Sequence, residues 1–555
     1  DISEILDVEH SGLADDYCTV VRSSRSRGFE RIFLVRLPEL CGDFEKALES
    51  GKEEFSSGEF VKSGKLLLFR SLLRRIFDET GSVLGEPCLE SIRCLRQALR
   101  LFKKYRIDCP PSTIKDKIDE FKQIETELPD PSFSWGHSDF LLRGVYPSLV
   151  ELGGAAVCAE CQSSGCDCGW AEGGLKRDLS YIQFVADRLS KPFRIHWGQF
   201  TPKHGPGAVS EKYTSSKYEF PSWPERLDRV FPYIKWGVLN ELRVPLEEDL
   251  PSSPAKLIDV PKDYKGPRLI ASEPISSQYI QQGIMHSIRI SLRSSVLRNC
   301  YDPNSQEHSR RMVLCASADR SFSTIDLSSA SDRLSCWLVE RIFRSNPSFL
   351  EALNAARTPN LELPDGQILE LKKFAAQGAA FTFPVQSLVY AIICLGVIYS
   401  SNPTARWNDI ARKVRVFGDD IIVPSEYHYR VCRALEACFL RVNSKKSFVE
   451  GYFRESCGMD AYKGHDVTPV SILAQYKHGT PLDTVSTIEC SNNLYLKGFI
   501  RASKVLLDTV PKGLRKDLPW APPGVTNQFV ILGCGKPNLR TRWNASWQTT
   551  DSRIL

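Results

Sequence analysis

VRVFGDDIIV, residues 414 to 423, places two adjacent carboxylates between two apolar runs of strand length. Val414 to Phe417 and Ile421 to Val423 predict two strands, and Gly418-Asp419-Asp420 predicts the tight turn joining them into a hairpin. Two neighbouring Asp side chains flanked by Ile, Val and Phe raise one another's pKa unless a cation neutralises them. Hard oxygen ligands on a rigid turn suit Mg²⁺, which binds through one or two carboxylates and substrate phosphates. A third carboxylate, Asp326, is expected at the end of a strand formed by Thr324, Ile325 and Asp326. Three such groups could hold two ions roughly 3.5–4 Å apart, the arrangement that serves in-line phosphoryl transfer. A GDD triplet alone does not decide this, since Asp-rich turns also occur without a metal.

The flanking sequence supplies context. Ser328, Ser329, Ser331 and Asp332 offer helix-capping oxygens, and Leu334, Leu338 and Ile342 recur at four-residue spacing on one helix face. NLELPDGQILEL, 360 to 371, reads as a hairpin around Pro-Asp-Gly, and 377 to 382 as a small-residue loop feeding an apolar helix with Leu388, Ile392 and Leu395. The first ~190 residues are expected to be mostly helical. Phe60 to Phe77 and Leu95 to Tyr105 show the pattern, with Pro110 and Pro111 ending the second segment. Val150 to Gly174 reads as a loop rich in Gly, Cys and Ser, and QFTPKHGPGAVS, 199 to 210, as an ordered loop carrying Lys203 and His204.

At 555 residues, with 42% hydrophobic and 25% charged side chains, the chain can bury a large core, which excludes a small binding module and a disordered protein. The longest apolar run, Leu388 to Tyr399, is twelve residues, short of the ~20 that cross a bilayer, so no membrane span is expected. Position 1 is Asp and no basic-then-apolar leader follows, which predicts no signal peptide and suggests a trimmed start. Net charge is only +5, but residues 262 to 311 hold eight Lys or Arg against four acids, a local excess that fits a phosphate channel or a solvated face. The 18 Cys lack a small-domain disulfide framework and fit a reducing cytoplasm.

The strings STIDLSSASD (323–332), QGAAFTF (377–383), FGDDIIVPSE (417–426), SKKSF (444–448) and FRESCG (453–458) stand in the order of polymerase motifs A to E. Together they resemble the RNA-directed RNA polymerase, the replicase catalytic subunit, of single-stranded RNA bacteriophages of the levivirus type. VPKDYKGPRLIASEP, 260 to 274, resembles that family's basic motif F, and HGPGAVSE, 204 to 211, a loop of its fingers.

The resemblance implies an α+β right-hand polymerase with fingers, a palm whose antiparallel sheet is backed by helices, and a helical thumb. Its expected divisions are 1–190 (helical region and part of the fingers), 191–320 (fingers with motif F), 321–470 (palm) and 471–555 (thumb). The implied activity is RNA-templated RNA synthesis from ribonucleoside triphosphates in the cytoplasm of a bacterial host, without a membrane. Asp326, Asp419 and Asp420 become the ligands of two Mg²⁺ ions, with Mn²⁺ able to substitute, and Lys446 the proton donor to leaving pyrophosphate. Lys262, Lys265 and Arg268 are implied to hold the triphosphate. Asp332 and Thr382 read the nucleotide, with Gln386 a further candidate for the ribose, and Gly378 gives the template backbone room. His204, Arg454 and Glu455 lie against RNA. Partners implied are template and product RNA, host elongation factors Tu and Ts, and a ribosomal protein.

Two departures stand out: the usual YGDD is FGDD here, and the motif A acid falls at Asp332 where the wider superfamily has it one residue earlier. Two rival readings are a reverse transcriptase, which shares the palm, and an RNA-binding protein with an inactive palm. Intact Asp326, Asp419 and Asp420 argue against the second. Separately, Cys158, Cys161, Cys166 and Cys168 place four thiols within eleven residues, which could bind one Zn²⁺ or remain reduced cysteines in a loop.

Overall fold

A computed structural model of the chain describes residues 10–140, 147–152, 172–212, 216–237, 253–518, 520–521, 531–532, 540–544, 546 and 549–553. The chain packs as two compact units, one of residues 1–113, 261–267 and 465–555, the other of 114–260 and 268–464. The packing breaks near 113 and 464. The helix Glu172–Leu189 joins the second unit through Leu179, Ile182, Val185 and Ala186, which share one core with the polymerase-like motifs.

In the second unit we label the helices α1 (Pro111–Glu127), α2 (Glu172–Leu189), α3 (Ile275–Ser294), α4 (Glu307–Asp319), α5 (Cys336–Ile342), α6 (Thr382–Ser401) and α7 (His428–Ala437). Its strands are β1 (Ala255–Asp263), β2 (Gly266–Ser272), β3 (Phe322–Asp326), β4 (Asn360–Glu362), β5 (Ile368–Glu370), β6 (Arg415–Phe417), β7 (Asp420–Pro424), β8 (Phe453–Ser456) and β9 (Met459–Tyr462). The last residues of β1 and the start of β2 count with the first unit.

The central sheet has the order β3-β7-β6 and is antiparallel throughout. Its inward positions, Ile325, Val416, Ile421 and Val423, are buried with α6 in one core. That helix is apolar on every side, as a helix enclosed by protein must be. By length and composition it could cross a membrane, but 89% of its apolar window is buried inside the protein. A second sheet, β2-β1-β4-β5, joins β1 to β4 in parallel and β4 to β5 through the expected Pro-Asp-Gly hairpin. β8 and β9 form an antiparallel hairpin. The α5 cap is Ser335, whose hydroxyl accepts from the Leu338 N–H, rather than Ser328 to Asp332.

The first unit is built on the helices Leu37–Ser50 and Leu89–Arg100. Buried Glu45 clamps them, accepting from Arg96 at 2.6 Å and Arg100 at 2.5 Å. Arg96 also donates to the Val467 carbonyl, tying the C-terminal segment to the same core. Two helical expectations need correction here. Phe60 to Phe77 holds a two-strand hairpin, Val61–Lys62 with Lys65–Leu66, and only a short helix, Arg70–Leu73. Ser63 and Gly64, at φ 51° and 73°, form the turn that breaks the helical pattern. Pro111 does not end a helix but begins α1, where its missing N–H costs nothing.

Candidate active site

The β3–β7 register sets Asp326 directly opposite Asp420, so both side chains leave the same face of the sheet. Asp419 stands between β6 and β7, exposed at the turn. That turn needs Gly418: its φ is +65°, and a Cβ there would meet the Phe383 ring at 2.5 Å. Its N–H donates to Ser387 Oγ of α6 at 3.0 Å, which anchors the carboxylate-bearing tip to the core helix. Phe417, in place of the usual Tyr, packs edge-on against Phe383 with ring centres 4.8 Å apart.

A segment outside the hairpin completes the site. Residues 442 to 448 run beside β3 through Thr324–Phe448 and Leu327–Val442 bridges. This brings Asn443 Nδ2 to 2.8 Å and Lys446 Nζ to 3.7 Å from Asp326 Oδ2, while the Asp326 N–H donates to Ser447 Oγ at 3.2 Å. Burial raises the Asp326 pKa, Lys446 opposes the rise, and Asp419 adds to it. Asp420 is pushed up to about 6, by burial first and then by Asp419, against the Cys457 N–H and the Ser456 hydroxyl. Burial disfavours the charge on Lys446, but Asp326, Glu455, Asp419 and Asp420 together outweigh it and hold that pKa above the ordinary lysine value.

Four carboxylates therefore share the field of one lysine. Among the described residues no three His, Cys, Asp or Glu side chains are gathered closely enough to grip a metal ion as they stand. Asp326 spends one oxygen on Asn443 and Lys446, so the lysine supplies the local positive charge. The donor chemistry nevertheless fits a divalent cation: hard oxygens, two carboxyl pKa values raised by burial and then by neighbouring negative charge, and more acidic groups than Lys446 balances.

The other expected site residues divide. Asp332 accepts from Lys373 Nζ at 3.0 Å, a fully buried lysine that also meets Glu125 at 3.2 Å and lies over the Phe121 ring. Gln377 donates to Ser331 at 3.0 Å, so motifs A and B are joined beside Asp332. Two motif B residues are engaged by the protein itself. Gly378, at φ +123°, gives room to protein, because a Cβ there would overlap the Ala271 carbonyl of β2. Thr382 is buried and donates its hydroxyl to the Ala376 carbonyl at 3.0 Å, closing the loop instead of facing a sugar. Gln386 is likewise buried.

Arg454 also needs correction. Fully buried, it donates to the carbonyls of Phe322, Val449, Gly451 and Phe453, stitching β8 to β3 instead of presenting a cation to RNA. Glu455, its neighbour on the opposite strand face, is turned toward Lys446 and belongs to the acidic cluster. Neither Glu455 in this setting nor Asn443 is legible from local sequence, since strand pairing across more than a hundred residues creates the site. His204 is half-buried among Tyr218, Phe220 and Tyr279, and burial lowers its pKa. Lys262 and Arg268 are exposed on β1 and β2, and Lys265 between them pairs with Glu39 at 2.9 Å. Cys158, Cys161, Cys166 and Cys168 lie outside the described residues.

Residues 251 to 483, which span β1 to β9 and every carboxylate of the site, match the family model described as RNA replicase, beta-chain. The chain is 34% identical over 242 residues to the RNA-directed RNA polymerase subunit beta of Escherichia virus Qbeta, covering 43% of this chain and 38% of that one. It is 36% identical over 214 residues to the RNA-directed RNA polymerase beta chain of Escherichia phage MS2, covering 38% and 36%. The match thus spans well under half the length of these relatives. Among solved structures, an RNA polymerase complex inside a double-stranded RNA virus aligns at 9% identity and a TM-score of 0.47, over 89% of this chain and 46% of that one.

Proposed function

We propose that the chain is an RNA-templated RNA polymerase, adding nucleotides from ribonucleoside triphosphates to an RNA 3′ end. The observation that carries the reading is the Asp326–Asp420 pair with Asp419 at the adjoining turn, in a region that matches the replicase beta-chain family. In this reading the β3-β7-β6 sheet is the palm, residues 191–320 contribute fingers, and 471–555 the thumb.

Asp326, Asp419 and Asp420 would hold Mg²⁺, with Mn²⁺ able to replace it; when bound, the metal activates the attacking hydroxyl and offsets phosphate charge. The protein's own residues do the rest. Asn443 fixes the orientation of Asp326, so the carboxylate need not reorganise as substrate arrives. Lys446 stays protonated in the acidic field and is poised to give its proton once the carboxylates are neutralised and pyrophosphate leaves. Arg268 offers a cation for the triphosphate. Asp332, paired with buried Lys373, is the polar group beside motif B best placed to read a sugar hydroxyl.

The same reading makes RNA and ribonucleoside triphosphates the substrates and the bacterial cytoplasm the place of action. Elongation factors Tu and Ts and a ribosomal protein are the host partners to seek by co-purification. The test is extension of an RNA primer on an RNA template by the purified chain, with rNTPs compared against dNTPs. Preferential dNTP incorporation would favour the reverse-transcriptase reading, and no extension with either, with host factors supplied, would favour an inactive palm.

A further inference from the structure

We propose that a cleft at the C-terminal end of α6 is a binding site for a phosphate group. The cleft has a volume of about 260 Å³ and is lined by Arg177 and Asp178 of α2, Ser400 and Ser401 of α6, and Arg430 and Arg433 of α7. Its charges do not balance. Arg430 grips buried Asp178 through Nη2 at 2.5 Å and Nε at 3.2 Å, and Asp178 also accepts from the Ser400 hydroxyl, which consumes the one carboxylate in the lining. Arg177 spends one nitrogen on the Ser400 carbonyl at 2.7 Å and lies over the Tyr181 ring, with no acidic partner among the described residues. Arg433, half-buried on α7, has neither a hydrogen bond nor an ion pair among them. Among the described residues the cleft therefore holds two guanidinium groups with no carboxylate partner beside a third that is fixed in place.

Guanidinium forks match the oxygens of phosphate. The volume accommodates a phosphate with an attached sugar but lies below the usual range of pockets for larger ligands, roughly 300–1,000 Å³. The cleft is also separate from the carboxylates. Ser387, which holds Gly418, and Ser400 are thirteen residues apart on one helix, about 20 Å at 1.5 Å per residue. An RNA backbone passing over the unit and a free nucleotide or inorganic phosphate present the same chemistry to it.

The test uses the full chain, the double variant Arg177→Gln with Arg433→Gln, and a charge-matched control, Arg412→Gln with Lys413→Gln, at two exposed positions. Both variants leave the Arg430–Asp178 pair intact, and melting curves verify folding. Binding of a fluorescent single-stranded RNA 12-mer is measured against KCl concentration, and inorganic phosphate is titrated separately by calorimetry. If RNA is the source, the double variant lowers the slope of log K against log salt by about 0.7 for each phosphate lost, and the control does not. If a small phosphate is the source, the RNA slope is unchanged and the wild-type affinity for inorganic phosphate falls at least tenfold in the double variant alone. Unchanged slope and unchanged phosphate binding, or equal losses in the control, overturn the proposal. Arg433→Lys, which keeps the charge and loses the fork, should fall between wild type and the double variant. Neither arm requires polymerisation, so failure here leaves the polymerase reading standing.

Discussion

Replacing Asp420 with Asn should stabilise the protein in the absence of divalent cations, and the gain should depend on pH in a defined direction. The folded structure raises this carboxyl from 3.8 to about 6, first by burial and then by the charge of Asp419. The folded state therefore binds a proton more tightly than the unfolded chain, and stability is lost as pH rises from near 4 through about 6. Each pH unit corresponds to ~1.4 kcal/mol, so the ionised carboxylate costs at most roughly 3 kcal/mol at pH 8. Asn keeps an oxygen to accept from the Cys457 N–H and removes the charge. Urea denaturation in EDTA at pH 8 should show the variant more stable by about 1–3 kcal/mol, the difference vanishing near pH 4. Added Mg²⁺ should narrow the gap at pH 8 by stabilising the wild type. A variant no more stable at pH 8, or equally advantaged at pH 4, would refute the claim that burial and the neighbouring Asp419 charge raise the Asp420 carboxyl in the folded protein.

Gly378→Ala should destabilise the second unit by about 2 kcal/mol or more, since the methyl group meets the Ala271 carbonyl and the backbone is left-handed; a melting curve matching wild type would remove the packing role. Arg454→Met should cost about 3 kcal/mol or more by leaving buried carbonyls without donors, while the salt dependence of RNA binding by the folded fraction stays unchanged. Arg268→Ala should raise the apparent KM for nucleotide and also lower kcat; a collapse of RNA affinity at unaltered nucleotide KM would make Arg268 a template contact instead.

The central hairpin was legible because its chemistry is local: apolar strands of period two and a Gly-Asp turn specify both the fold and the position of Asp419 and Asp420. Asp326 followed from the same strand logic. What local pattern cannot carry is the company these residues keep. Asn443, Lys446 and Glu455 reach Asp326 and its neighbours only because separate strands pair side by side. Burial misled in the opposite sense: Arg454 and Thr382 sit inside motif-like strings but spend their polar atoms on backbone carbonyls, and Gly378 is small for the sake of β2. In the N-terminal region a Lys-Ser-Gly-Lys turn interrupted an apolar spacing that imitates a helix, and tertiary pairing favoured the hairpin.

The most direct measurement is single-nucleotide extension of an RNA primer by Asp419→Asn, at matched protein concentration and saturating Mg²⁺, beside wild type. The substitution keeps side-chain volume at an exposed turn and removes one charge, so the fold is expected to survive. Loss of turnover by several orders of magnitude, with RNA binding retained, is the predicted result. Extension at near the wild-type rate would contradict the assignment of these carboxylates as the centre of phosphoryl transfer.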